Sequence, residues 1–128
     1  MKLILLSGRS NSGKTTTLKK LYKNLTNDGK KNVLSIYDKN DEFDNEYIIM
    51  YKNKKVAIVT GCDILWKYVE KIIKYANQDI LVMAYNNKFA FGLDQMTSNC
   101  EYHSVVKKLR PNDSDCERVC NKIIEQLG

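Results

Sequence analysis

The residues Gly8-Arg9-Ser10-Asn11-Ser12-Gly13-Lys14-Thr15 fit the pattern G-x-x-x-x-G-K-[ST], whose fixed positions each have a task on a chain of phosphates. Gly8 and Gly13 lack a Cβ, so the backbone can turn tightly and bring its N–H groups onto an anion. Arg9, Ser10, Asn11 and Ser12 form the turn between them. Lys14 carries a mobile ammonium able to reach the β- and γ-phosphates. Thr15 offers a hydroxyl to a Mg²⁺ that bridges those phosphates, and Thr16 continues the run into the first helical turn. A helix beginning at Gly13 aims unsatisfied N–H groups and the positive end of its dipole at the same place.

Two elements must hold such a loop, and both are written beside it. Leu3-Ile4-Leu5-Leu6 is an apolar run suited to a buried strand. Leu18, Leu21, Tyr22 and Leu25 recur at i, i+3, i+4 and i+7, the pattern of an amphipathic helix. With strand, loop and helix in this order, the chain resembles the P-loop NTPase superfamily, and residues 8–15 look like its Walker A motif. The resemblance is specific over residues 3–25 and architectural beyond them. It implies a three-layer P-loop fold that binds Mg·ATP. The loop spelling G-x-S-x-S-G-K-T is similar to that of compact small-molecule kinases.

Composition sets the outer bounds. A chain of 128 residues, 43% apolar and 28% charged, reads as one globular domain over 1–128. No apolar run approaches the roughly 20 residues of a membrane span, and a strand directly after Lys2 leaves no room for a signal peptide, so a cytoplasmic protein is expected. The net charge of +6 is spread as lysines along helices, which argues for solvated surfaces over a nucleic-acid face. The four cysteines read as reduced thiols. Cys100, His103, Cys116 and Cys120 form a candidate zinc set, set against a simpler reading as small buried residues.

Further along, the spacing predicts a first helix from Gly13 to Asn27, stopped by Gly29, and a strand over 33–37 ending at Asp38. Residues 38–46 hold five acids and no periodicity, which reads as an acidic loop with Glu42 and Glu46 in solvent. Runs at 47–51 and 56–60, separated by Lys52–Lys55, read as an antiparallel hairpin. A helix should bury Leu65, Tyr68, Val69, Ile72, Ile73 and Ala76, with Asp63 as a candidate N-cap. Residues 80–85 read as a buried strand, 92–98 as a short helix and 102–108 as a last strand. Ser114 and Glu117 match a capping box opening a C-terminal helix. The alternation predicts an α/β fold: a mainly parallel sheet of five to six strands with one antiparallel hairpin strand, helices on both faces, and the glycine-rich loop at the carboxyl ends of the strands.

Phosphoryl chemistry also needs a carboxylate to organise Mg²⁺ and a base, commonly placed after an apolar strand. Val56–Val59 ends instead in Thr60, which leaves Asp38 and Asp63 as the candidate metal and catalytic acids beside Thr15 and Lys14. Asn87-Lys88-Phe89-Ala90 begins like the guanine-reading N-K-x-D but has Ala90 where the Asp belongs, so ATP is preferred over GTP by elimination. Three arginines, Arg9, Arg110 and Arg118, are too few for the arginine clusters of nucleoside monophosphate kinases. Two classes remain: an enzyme that hydrolyses ATP or passes its γ-phosphate to a small acceptor, and a module whose nucleotide state governs binding to a protein partner.

Overall fold

A computed structural model describes residues 1–8, 13–26, 33–38, 45–60, 65–86, 102–107 and 112–127. The elements are β1 (Lys2–Gly8), α1 (Lys14–Leu25), β2 (Val33–Asp38), β3 (Asn45–Tyr51), β4 (Lys54–Val59), α2 (Leu65–Lys74), β5 (Ile80–Asn86), β6 (Tyr102–Lys107) and α3 (Asp113–Leu127). They build a six-stranded sheet in the order β2-β3-β4-β5-β1-β6. β1 runs parallel to β5 and β6, and β4 runs parallel to β5. Only β3 is antiparallel to its neighbours. The α/β class and the mainly parallel sheet are therefore as the sequence predicts, with β2 closing the edge outside the antiparallel strand. The short helix expected over 92–98 lies outside the described residues.

Strands covered on both faces need consecutive apolar residues, and β1 has them. Ile4, Leu6, Val56, Ile58, Val82 and Ala84 point to one face and share a core with α1 and α3. Leu3, Leu5, Ala57, Val59, Leu81 and Met83 point to the other and pack with Ile72 and Tyr75 beside α2. Alternate residues of the same strands thus serve two cores. α1 buries Leu18, Leu21 and Tyr22 as its period requires, and Tyr22 stacks on Tyr47 of β3 with ring centroids 3.8 Å apart. Thr26 ends α1, its hydroxyl donating to the Tyr22 carbonyl at 2.8 Å. The expected continuation to Asn27 and Gly29 falls outside the described residues.

Three local expectations are corrected. The hairpin turn is two residues, not four: Lys52 and Asn53 take φ of 49° and 66°, the twist that matches paired antiparallel strands. α3 is capped by Asn112, whose Oδ1 accepts from the Asp115 N–H at 2.8 Å and whose carbonyl accepts from the Cys116 N–H, so Ser114 is already inside the helix. At the end of α2, Ile73 is 71% exposed, and just beyond the helix Ala76 is exposed while Tyr75 is buried.

The last correction has its cause in a fourth. Glu46, expected in solvent, is buried at the start of β3. Its carboxylate accepts from Lys71 at 2.7 Å, from Lys74 at 2.9 Å and from the Tyr75 hydroxyl. These contacts hold the Lys71–Tyr75 flank of α2 against β3, which leaves Ile73 on the outward side. Burial works against the charge on Glu46, but the bonds from Lys71, Tyr75 and Lys74 outweigh it and bring its pKa from 4.5 down to about 2. Burial and the adjacent carboxylate push the Tyr75 phenol well above its ordinary range. A depressed carboxylate pKa adds stability that is fully present above the unfolded value near 4.5 and is lost as pH falls toward 2.

Glu46→Gln is expected to cost about 3 kcal/mol at pH 7, because it leaves Lys71 buried without its counter-charge. Urea unfolding from pH 6 to pH 2 should show the wild-type advantage shrinking with acid; parallel profiles for the two proteins would contradict the assignment. Ile73→Lys should stay within about 0.5 kcal/mol of wild type, whereas Leu21→Ala should cost about 2–5 kcal/mol.

Candidate functional site

The carboxyl ends of β1, β2, β4, β5 and β6 lie on one edge of the sheet, as their pairing directions require. The glycine-rich stretch begins there. Gly8 closes β1, paired with Asn86 of β5, and α1 begins at Lys14. Arg9, Ser10, Asn11 and Ser12 lie outside the described residues. At the exit, Gly13 adopts φ 91° and ψ 21°, a left-handed conformation that a Cβ would oppose. It is the one glycine among the described residues with positive φ, and it sits at the position the motif reserves for glycine.

Lys14 folds back across the loop, its Nζ donating to the Gly8 carbonyl at 2.9 Å. The ammonium therefore stands between the two ends of the loop, half-buried. No acid occupies the first turn of α1 and no side chain caps its N-terminus, so the positive end of the dipole is not offset from within the helix. Such an end is suited to an anion. Thr16, the next residue but one, is exposed on the first turn.

Thr15 connects the loop to β4. Its Oγ1 donates to the Thr60 carbonyl at 3.1 Å, although β5 lies between β1 and β4 in the sheet. Since the hydroxyl proton is taken up by that carbonyl, the Oγ1 lone pairs remain available to a cation. Thr60 is fully buried and follows directly on β4. The group that meets Thr15 at the end of the apolar strand is thus a neutral carbonyl, not a carboxylate. Asp63 lies outside the described residues, three positions beyond Thr60, within about 10 Å along an extended chain.

Asp38 is placed differently. It pairs with Asn45 at the end of edge strand β2, with β3 between it and β4. At about 4.8 Å per strand, its backbone stands about 10 Å from β4 and about 19 Å from β1. The sheet brings Thr15 and Thr60 together and holds Asp38 at a second location on the same edge.

The zinc set is only partly described. Cys116 and Cys120 are buried on α3 and engaged by α1: Cys116 Sγ lies 3.2 Å from Thr17 Oγ1, and Cys120 Sγ 3.5 Å from the Thr17 carbonyl. His103 is placed in β6 opposite Leu3, and Cys100 is outside the described residues. Among the described residues no group of three or more His, Cys, Asp or Glu side chains is arranged to hold a metal. Arg118 is half-exposed and donates to Asp115 through Nε at 2.9 Å and through Nη2 at 2.8 Å.

The sequence reading missed Thr17 and Glu46. The i+4 spacing of Thr17 from Gly13 was the available signal for the first, and the second carried none. No helix among the described residues is long and apolar enough to cross a membrane. Comparison with protein-family models, with curated proteins and with solved structures gave no significant match.

Proposed function

We propose that this edge binds the phosphates of ATP with Mg²⁺, and that the chain hydrolyses ATP or passes its γ-phosphate to a small acceptor. The observation that carries the reading is the left-handed Gly13 followed by Lys14 folded onto Gly8: a backbone turn with an ammonium at its mouth and a helix N-terminus that has no acid in its first turn. When a triphosphate enters, Lys14 turns its ammonium from the Gly8 carbonyl to phosphate oxygens, a bond in which both partners carry charge. The N–H groups of Lys14, Thr15 and Thr16, in the first turn of α1, face the same anion. Arg9 is a further cation within the loop.

Thr15 fits a Mg²⁺ ligand, because its proton is already committed to Thr60 and its lone pairs are not. Mg²⁺ there would offset charge building on the transferred phosphoryl group. Asp63 is close enough along the chain to complete the metal's surroundings. Asp38, about 10 Å from β4, is better placed to orient an acceptor hydroxyl or water than to share a cation with Thr15. Preference for ATP rests on Ala90, which lacks the carboxylate that reads guanine.

A second reading is favoured by one observation. A neutral carbonyl stands where a carboxylate would speed turnover, so the same site also suits a slow module whose nucleotide state governs binding to a protein partner.

Thr15→Ala should retain ATP binding without Mg²⁺ and lose most of the gain Mg²⁺ gives the wild type; a full Mg²⁺ gain in the variant would remove Thr15 from the metal site. Asp63→Asn and Asp38→Asn should each lower turnover at least tenfold, about 1.4 kcal/mol of transition-state stabilisation, with only Asp63→Asn weakening the Mg²⁺ dependence. Neither variant reaching tenfold would defeat the assignment of both acids. Partner capture that differs between ATP and ADP would favour the module.

A further inference from the structure

We propose that Cys116 is a positioning residue for the phosphate loop, acting through Thr17. The inference rests on the reading of residues 8–15 as a phosphate site and goes beyond it to what holds that site in shape.

Thr17 is fully buried in α1, one turn beyond Gly13. Its Oγ1 lies 2.7 Å from the Gly13 carbonyl and 3.2 Å from Cys116 Sγ. A hydroxyl has one proton, and a carbonyl can only accept. The Thr17 proton therefore goes to Gly13, and the remaining bond requires the Cys116 S–H to donate to Thr17 Oγ1. Cys120, one turn further along α3, donates to the Thr17 carbonyl at 3.5 Å. Two thiols of one helix thus hold both the side chain and the main chain of the same threonine.

The consequence falls on the peptide between Gly13 and Lys14. Its carbonyl takes two donors from Thr17, the N–H at 2.9 Å and the hydroxyl at 2.7 Å. A trans peptide is planar, so its carbonyl and its N–H point in opposite directions. Fixing the Gly13 carbonyl toward the second turn of α1 aims the Lys14 N–H the other way, out of the helix end where the anion binds. Gly13 has no side chain of its own and α1 has no side-chain cap, so this brace comes from behind the loop.

The test compares Cys116→Val, which keeps apolar bulk without a donor, with Cys116→Ser, which keeps a donor. Ile123→Val, two turns along the same buried face of α3, controls for lost stability. The readouts are Mg·ATP affinity by calorimetry and hydrogen exchange of the Thr17 amide in nucleotide-free protein. Cys116→Val should bind about fivefold more weakly and exchange faster at Thr17, Cys116→Ser should stay within about twofold of wild type, and Ile123→Val should alter neither readout. Wild-type binding left intact in Cys116→Val, with unchanged Thr17 exchange, overturns this inference alone. A wild type that binds no Mg·ATP overturns the phosphate reading and this inference together.

Discussion

A chain leaving a buried strand and entering a helix within five residues must reverse its direction, and the turn places residue 13 in left-handed backbone. A residue with a Cβ pays roughly 1–2 kcal/mol for that conformation, and glycine does not. The features of the site are set out from this point. It starts α1 over the sheet, lets Lys14 reach back to Gly8, and delivers Thr15 to Thr60 and Thr17 to Cys116. Without that turn, the first helix would not present its unsatisfied N–H groups at the end of β1.

The sheet order then decides which groups work together. With β5 between β1 and β4, the two apolar strands that end near the site are not neighbours. α1 spans the gap, resting on the core face shared by β1, β4 and β5, so that Thr15 reaches the end of β4 through its hydroxyl. On the opposite face, Glu46 ties the start of β3 to the Lys71–Tyr75 flank of α2.

The parts of the fold legible in the sequence are those encoded over short spans. The apolar run at residues 3–6, the period at 18, 21, 22 and 25, and the glycine at 13 each report on neighbours within a turn or a strand, and each lies in the structure as its spacing predicts. What was not legible depends on residues far apart. Burial of Glu46 requires Lys71, Lys74 and Tyr75, which lie 25 to 29 positions later. The same contacts turn Ile73 outward, against a helical pattern that alone gave it an equal claim on the core. Asn112 and Ser114 are both good caps, and only the helix start separates them. The motif marks Gly8 and Gly13 as the two ends of a strand-to-helix connection, while the sheet order, invisible in the sequence, sets Asp38 apart from Thr15.

The most direct test of the account is calorimetric titration of Mg·ATP into wild type and Lys14→Met, a substitution that keeps the side-chain length and removes the charge. Measurable binding in the wild type, weakened at least tenfold in Lys14→Met with an unchanged unfolding midpoint, is the result the account predicts. Equal binding by the two proteins, or none by the wild type, would contradict it, and the left-handed turn at Gly13 would then serve only to join a strand to a helix.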